Sequence, residues 1–267
     1  MKKIDYKEKV VILTGASSGI GLEIARELIS KHGAVVYAVA RGAERLNNAR
    51  ELLGENYIPY IMDAGREDAW ENLKNEIVKK EGSIDILINC AGILPEFKSY
   101  QKASWEEIDS ALNINLYSQL YSVRTLLPHI NKGGAIINVS SASALCPFGG
   151  VSAYTLTKSA SSAFTESISC ELDGISASAV LPGFVKTDIM KNQELNKKEG
   201  KIIAFFSARP DKCAKRILRR VRRRRRKIIV GLDARLMSLL YKLLPNYAPR
   251  IITRFLKSSK LGLFTKI

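Results

Sequence analysis

Lys9-Val10-Val11-Ile12-Leu13-Thr14-Gly15-Ala16-Ser17-Ser18-Gly19-Ile20-Gly21-Leu22-Glu23-Ile24-Ala25-Arg26-Glu27-Leu28-Ile29 holds an apolar run, a glycine-rich turn and an amphipathic run in direct succession. The first reads as a short buried strand and the last as a helix with one apolar face. A glycine motif carries meaning in that context of strand, turn and helix. Gly15 permits the tight turn, Gly19 lets the backbone approach a pyrophosphate, and Gly21 allows close packing of helix on strand. The phosphates would sit on the helix N-terminus, where unpaired N–H groups and the helix dipole favour anions. The spacing is Gly-x-x-x-Gly-x-Gly rather than Gly-x-Gly-x-x-Gly.

The same alternation continues outward. Apolar runs at Ala34–Ala40, Tyr57–Met62, Ile84–Ile88, Gly134–Ser140, Ile175–Leu181 and Lys227–Val230 read as strands. Between them lie helical patterns at Glu67–Lys80, at Trp105–Ile130 and through Tyr154 to Leu172. Strands alternating with helices predict an α/β fold, a doubly wound parallel sheet of Rossmann type in one domain. Ligands bind such sheets at the carboxyl ends of the strands. The pattern assigns residues 1–230 to this domain, with a substrate lid at about 188–206. Residues 231–267 form a basic amphipathic extension.

Two places carry chemistry. The second strand ends at Ala40-Arg41, where an acid would hold the ribose hydroxyl of NAD; a guanidinium pairs instead with the 2′-phosphate of NADP. Further on, Ser141 closes the fifth strand, and Tyr154 and Lys158 are one helical turn apart. A free Tyr, with pKa about 10, is a poor base at neutral pH. An ammonium at roughly 4.5 Å and an effective dielectric of about 20 favours the phenolate by about 3–4 kcal/mol. The expectation is that Lys158 draws the Tyr154 pKa down toward neutrality, where it can exchange protons as an acid or base. Ser141 would hold the substrate oxygen. Tyr-x-x-x-Lys alone is common in helices, so its weight comes from the motifs around it.

The chain has 267 residues, 46% of them hydrophobic, and a formal charge of +16. The start, Met1 to Lys9, is too charged for a signal peptide, and the apolar run after it is too short to span a membrane. Cys90, Cys146, Cys170 and Cys213 show no metal-binding or disulfide spacing and read as reduced thiols of a cytoplasmic protein. His32 and His129 are isolated, and no metal site is expected. From Arg209 onward the only acids are Asp211 and Asp233.

Taken together, the motifs over residues 8–190 resemble the short-chain dehydrogenase/reductase family. Thr14 to Gly21, with Ser17, Ser18 and Ile20, is similar to its cofactor turn. Asp63 resembles the residue that meets the adenine. Asn89-Cys90-Ala91-Gly92 is similar to the family's Asn-Asn-Ala-Gly motif, with Cys90 a departure. Pro182, Gly183, Val185 and Thr187 match the segment that holds the nicotinamide amide. Ser141, Tyr154, Lys158 and Asn115 match the family's catalytic residues. The resemblance implies hydride transfer between NADPH and a carbonyl carbon while Tyr154 protonates the oxygen. Lys158 lowers the Tyr154 pKa and binds nicotinamide ribose, and Asn115 bends its helix and holds a water of the proton relay. It also implies a homo-oligomer.

The residues near the lid, Leu94–Phe97 and Ala144–Phe148, are largely apolar. They point to a lipophilic substrate, a hydroxysteroid or bile acid first and a 3-keto lipid or acyl chain second. The other class of reading is a non-catalytic, NADP-sensing scaffold that binds a partner through the basic tail. Arg219–Lys227 is open to three readings: a solvated helix face, an anionic membrane surface, or nucleic acid, the last disfavoured because no aromatic residues interleave the run. After Gly231, Leu236, Leu240, Leu243 and Ile251, Ile252, Phe255 recur at helical spacing among Arg and Lys. Such helices fit a peripheral membrane anchor, a lid or a subunit interface.

Overall fold

All the strands marked by the apolar runs form, and each pairs with its neighbours in parallel. The structure is a computed structural model that describes residues 2–190, 193 and 207–258. Its strands are β1 (Val10–Thr14), β2 (Val35–Ala40), β3 (Tyr57–Ile61), β4 (Ile84–Asn89), β5 (Ile130–Val139), β6 (Ser176–Pro182) and β7 (Lys227–Val230). They lie in the order β3-β2-β1-β4-β5-β6-β7. The order reverses at β1, which sits between β2 and β4, so a crevice opens at the carboxyl ends of β1 and β4.

The helices are α1 (Gly19–His32), α2 (Ala43–Leu53), α3 (Glu67–Glu81), α4 (Trp105–Leu112), α5 (Ser118–Leu126), α6 (Ser152–Glu171), α7 (Pro210–Val221), α8 (Leu232–Leu243) and α9 (Ala248–Ser258). The sequence pattern marks no element between β2 and β3. α2 forms there with only Leu46 and Ala49 buried, too thin an apolar stripe to read. The single helix expected over 105–130 is divided. A wide π-helical turn, Asn113–Tyr117, separates α4 from α5, and a 3-10 turn at Leu127–His129 ends it. Pro128 lies in that turn, and β5 starts at once at Ile130.

Alternate residues of each strand face opposite layers. Val11, Leu13, Val36 and Ala38 pack with Ile24 and Leu28 of α1 and with Ile217, Leu218 and Val221 of α7. Ile12, Tyr37, Val39 and Leu87 pack with Trp70, Leu73 and Ile77 of α3 and with Val123 of α5. Both faces of the sheet are covered, which is why the strands read as continuous apolar runs rather than alternating ones.

The Arg run proves to be partly structural. α7 buries Cys213, Ala214, Ile217, Leu218 and Val221, and the run supplies its polar side and the turn after it. Arg220 donates to the Ile229 carbonyl at 2.8 Å. Arg224 donates to the carbonyls of Lys2 (2.6 Å), Gly133 (2.6 Å) and Gly134 (3.2 Å) and to the Ser176 hydroxyl (3.1 Å). It ties the N-terminal lead-in to the entry of β5 and β6, and it does so with a φ of 54°. Arg224→Ala is expected to lower stability by about 2 kcal/mol, because several bonds from a charged donor are lost. Arg224→Gly loses the same bonds but relieves the left-handed backbone, and should be about 1 kcal/mol less harmful. Urea unfolding of the two variants measures both effects; wild-type stability for Arg224→Ala would show that the bonds contribute nothing.

Candidate active site

The carboxyl ends of β1, β2, β4, β5 and β6 open into one cleft of about 550 Å³. At its floor Thr14 closes β1, and its hydroxyl accepts from the N–H of Cys90 and of Ala91, both at 3.0 Å. This fastens the turn after β1 to the chain leaving β4. Gly15 has φ +68°, and a Cβ there would stand 2.8 Å from the Ala91 nitrogen. Gly19 has φ +56° and would meet Thr187 at 2.9 Å. A Cβ at Gly21 would overlap the Gly15 carbonyl, so Gly21 packs on the turn itself rather than on the strand. α1 begins with no acid in its first turn, and Ser18 at its cap makes no side-chain capping bond. Backbone N–H groups at an uncapped, uncharged helix start fit a pyrophosphate.

The predicted cofactor residues fall on this cleft, with one exception. Gly15, Ser17, Ser18, Gly19, Ile20, Gly21, Arg41, Asp63, Ala91, Gly92, Pro182, Gly183, Val185 and Thr187 all line it. Asp63 accepts from the Gly65 N–H at 3.0 Å, which fixes the turn beyond β3. Asn89 does not line the cleft. It is 1% exposed, donates to Asn138 at 2.9 Å and accepts from the Ser122 hydroxyl at 3.0 Å. The motif marks its position correctly as the end of β4, but its side chain points into a polar ladder across the sheet.

Ser141, Tyr154 and Lys158 come together where β5 ends and α6 begins. The Ser141 hydroxyl accepts from the Ser143 N–H at 3.2 Å and lines the cleft with Tyr154. Lys158 is 3% exposed; its Nζ donates to the Val139 carbonyl at 3.0 Å and lies 5.7 Å from the centre of the Tyr154 ring. Ser140 donates to the Lys158 carbonyl at 2.6 Å, binding the strand end to the helix. Asn115 sits in the π-helical turn, fully buried. It accepts from the Ile93 N–H at 2.7 Å and donates to the Ile93 carbonyl at 3.0 Å and to Thr157 at 3.1 Å. Its side chain thus anchors the Gly92-Ile93 loop to α6. A Cβ at Gly92 would stand 3.2 Å from both Asn115 Oδ1 and Lys158 Nζ.

The electrostatics correct one expectation. Lys158 was to draw the Tyr154 pKa down; in this pocket the Tyr154 pKa is raised. Burial outweighs the opposing influence of the nearby Ser141 hydroxyl. The same burial pulls Lys158 itself from 10.5 to about 8. Removing both groups from water penalises phenolate and ammonium alike. Tyr154 therefore stays protonated at neutral pH.

Four residues that the motifs do not mark complete the site. Asp233, in the first turn of α8, accepts from the Phe184 N–H at 2.6 Å, and burial raises its pKa. A Cβ on Gly183 or Gly231 would overlap its carboxylate. From the basic segment after residue 230, Asp233 and Met237 line the cleft. The signal was in the sequence, as a lone acid in a basic tail. Ser143 is a second hydroxyl of the cleft, buried, with no partner among the described residues. Arg45 joins Arg41 in the cleft lining beyond the end of β2 and lies 3.6 Å from Asp188. Gln193 accepts from the Phe97 N–H at 3.0 Å and donates to the Pro95 carbonyl at 3.1 Å. Of the lid expected at about 188–206, a 3-10 turn at Asp188–Met190 and Gln193 are described; 191–192 and 194–206 lie outside the described residues.

With strand ends, cleft and polar groups so arranged, comparison with known proteins places the chain. The family model for short chain dehydrogenases matches residues 9–198, and the protein belongs to that family of oxidoreductases. It is 31% identical over 199 residues to an uncharacterized oxidoreductase of Staphylococcus epidermidis, covering 72% of this chain and 85% of that one. It is 32% identical over 221 residues to the 11-beta-hydroxysteroid dehydrogenase-like 2 protein of Arabidopsis thaliana, covering 80% and 71%. Its fold is similar to that of an alcohol dehydrogenase from the archaeon Thermococcus sibiricus, crystallised with 5-hydroxy-NADP. That match has a TM-score of 0.73 at 23% identity and covers 84% of this chain and 96% of the other.

Proposed function

We propose that the protein is an NADP-dependent oxidoreductase that interconverts a ketone and a secondary alcohol on a lipophilic substrate, a hydroxysteroid first and a 3-keto lipid second. The observation that carries this reading is the placement of Ser141 and Tyr154 at the edge of an apolar end of the cleft. Leu94, Phe97, Phe148, Val151 and Met190 cluster beside Tyr154 there. Ser141 would hold the substrate oxygen while Tyr154 delivers its proton, and Lys158, half-charged near pH 8, would restore it. Bound NADP(H) supplies or accepts the hydride. Ser143 adds one further donor beside that oxygen. Assay of NADPH oxidation with a panel of ketosteroids and 3-keto lipids tests the reading. Turnover of these above sugars and short ketones is expected; activity confined to small polar carbonyls would overturn it.

The preference for NADP rests on Arg41 and Arg45, which share the adenosine end with no acid at the end of β2. Losing one charge-assisted phosphate contact costs roughly 1.5–3 kcal/mol. Arg41→Ala is therefore expected to weaken NADPH binding by roughly 10- to 100-fold and to leave NADH nearly unchanged. Fluorescence titration with both cofactors measures this, and equal losses would show that Arg41 does not touch the 2′-phosphate.

A further inference from the structure

We propose that the outer face of α8 and α9 seats the protein on an anionic lipid surface. Along α8, Leu232, Leu236, Leu239 and Leu243 are 72%, 58%, 54% and 67% exposed. Their intervals of four, three and four residues put them on one stripe. Tyr247 and Ile251 extend it onto α9, at 61% and 44% exposure. A helix that faces water alone carries polar residues on that side; a continuous exposed apolar stripe marks an interaction surface. Among the described residues no helix is long and apolar enough to cross a membrane, so the stripe lies along a surface rather than through one.

The charges beside the stripe select the occupant. Arg235, Lys242, Arg250 and Arg254 are all exposed. The one acid of the two helices, Asp233, is turned inward onto the Phe184 N–H. Leucines framed by cations and no exposed acid match the boundary of an anionic bilayer, apolar groups entering the acyl region and cations meeting phosphates. A second copy of the chain would bring the same cations against these, and like charges across an interface repel.

The inner side of these helices faces the cleft. Met237 lines it, and Leu256 packs on the cluster of Phe97 and Val151. A protein seated on this stripe has α8 and α9 between the lipid and its cleft, and the seating does not depend on the functional reading above.

Cosedimentation with vesicles of equimolar phosphatidylcholine and phosphatidylglycerol tests the seating, beside vesicles of phosphatidylcholine alone. The full chain is expected to sediment with the anionic vesicles at low salt, less with the neutral ones, and to be partly released by salt. The double variant Leu236→Glu, Leu239→Glu should bind about tenfold or more weakly and keep wild-type turnover of a soluble ketone. Arg250→Gln with Arg254→Gln should lose mainly the salt-sensitive part. Failure of the wild-type protein to bind anionic vesicles overturns the proposal. So does an assembly that falls apart on Leu236→Glu, Leu239→Glu while vesicles are ignored, which would make the stripe an interface between copies. Vesicle binding without turnover of any lipophilic ketone would support the seating and overturn the functional reading.

Discussion

Tyr154→Phe is expected to lower turnover by about 10²-fold or more while cofactor binding stays at its wild-type level. The ring is kept, so the apolar cluster with Phe148 and Val151 is still filled. Only the hydroxyl goes, and with it the proton that a developing alkoxide would take. Because burial raises the Tyr154 pKa, the wild-type phenol is protonated throughout the neutral range, and ketone reduction should not require a rise in pH. The reverse reaction needs the phenolate and should accelerate as pH increases. Steady-state kinetics in both directions, with a fluorescence titration of NADPH, measure all three. Near wild-type turnover for the purified variant would remove Tyr154 from the chemistry.

Lys158→Met should give the opposite signs for activity and stability. Turnover is expected to fall by about 10²-fold or more, because the group that returns the proton is gone. Stability at pH 7 is expected to rise. Below pH 8 folded and unfolded chains both hold the Lys158 proton, and the folded chain bears the whole penalty of a buried ammonium. Between about 8 and 10.5 only the unfolded chain holds it, so wild-type stability increases through that window, by about 3 kcal/mol in all. The methionine variant has no such dependence at this site. Loss of the bond to the Val139 carbonyl subtracts about 1 kcal/mol from its advantage. Urea unfolding of both proteins at pH 7 and pH 10.5 should show the variant's lead shrinking or reversing. A difference that is the same at both values would mean that Lys158 is not strained by burial.

The parallel sheet and the cleft were legible because both depend on short-range features. Apolar runs such as Val10–Leu13 reveal a strand covered on both faces, and Gly15 to Gly21 are adjacent in the chain as well as in space. What was not legible depends on pairings across the chain. Asp233 reaches Phe184 across 49 residues, and no spacing rule links them. Arg224 looks like one more charge in a run until its partners at Lys2, Gly133 and Ser176 are seen. The direction of the Tyr154 pKa was missed for a different reason. A helical turn fixes the distance from Tyr154 to Lys158, but the penalty of burying both belongs to the surrounding pocket. Asn89 shows the same limit, since a motif can mark a strand end without telling to which side the residue turns.

The lacing of the N-terminal lead-in has a consequence for how the chain is made. Ile4 N–H donates to the Arg222 carbonyl at 3.0 Å, and the Tyr6 hydroxyl donates to the Leu218 carbonyl at 2.8 Å. Both side chains are 3% exposed, buried among residues that include α7. Ile4 and Tyr6 thus await partners made more than two hundred residues later. At about 5–20 residues per second, that is an interval of roughly ten to forty seconds. During it β1 to β4 can pair as they emerge, while Ile4 and Tyr6 remain open to other contacts. Completion of α7 then closes the seam, and β7 and α8 follow it onto the sheet edge and the cleft.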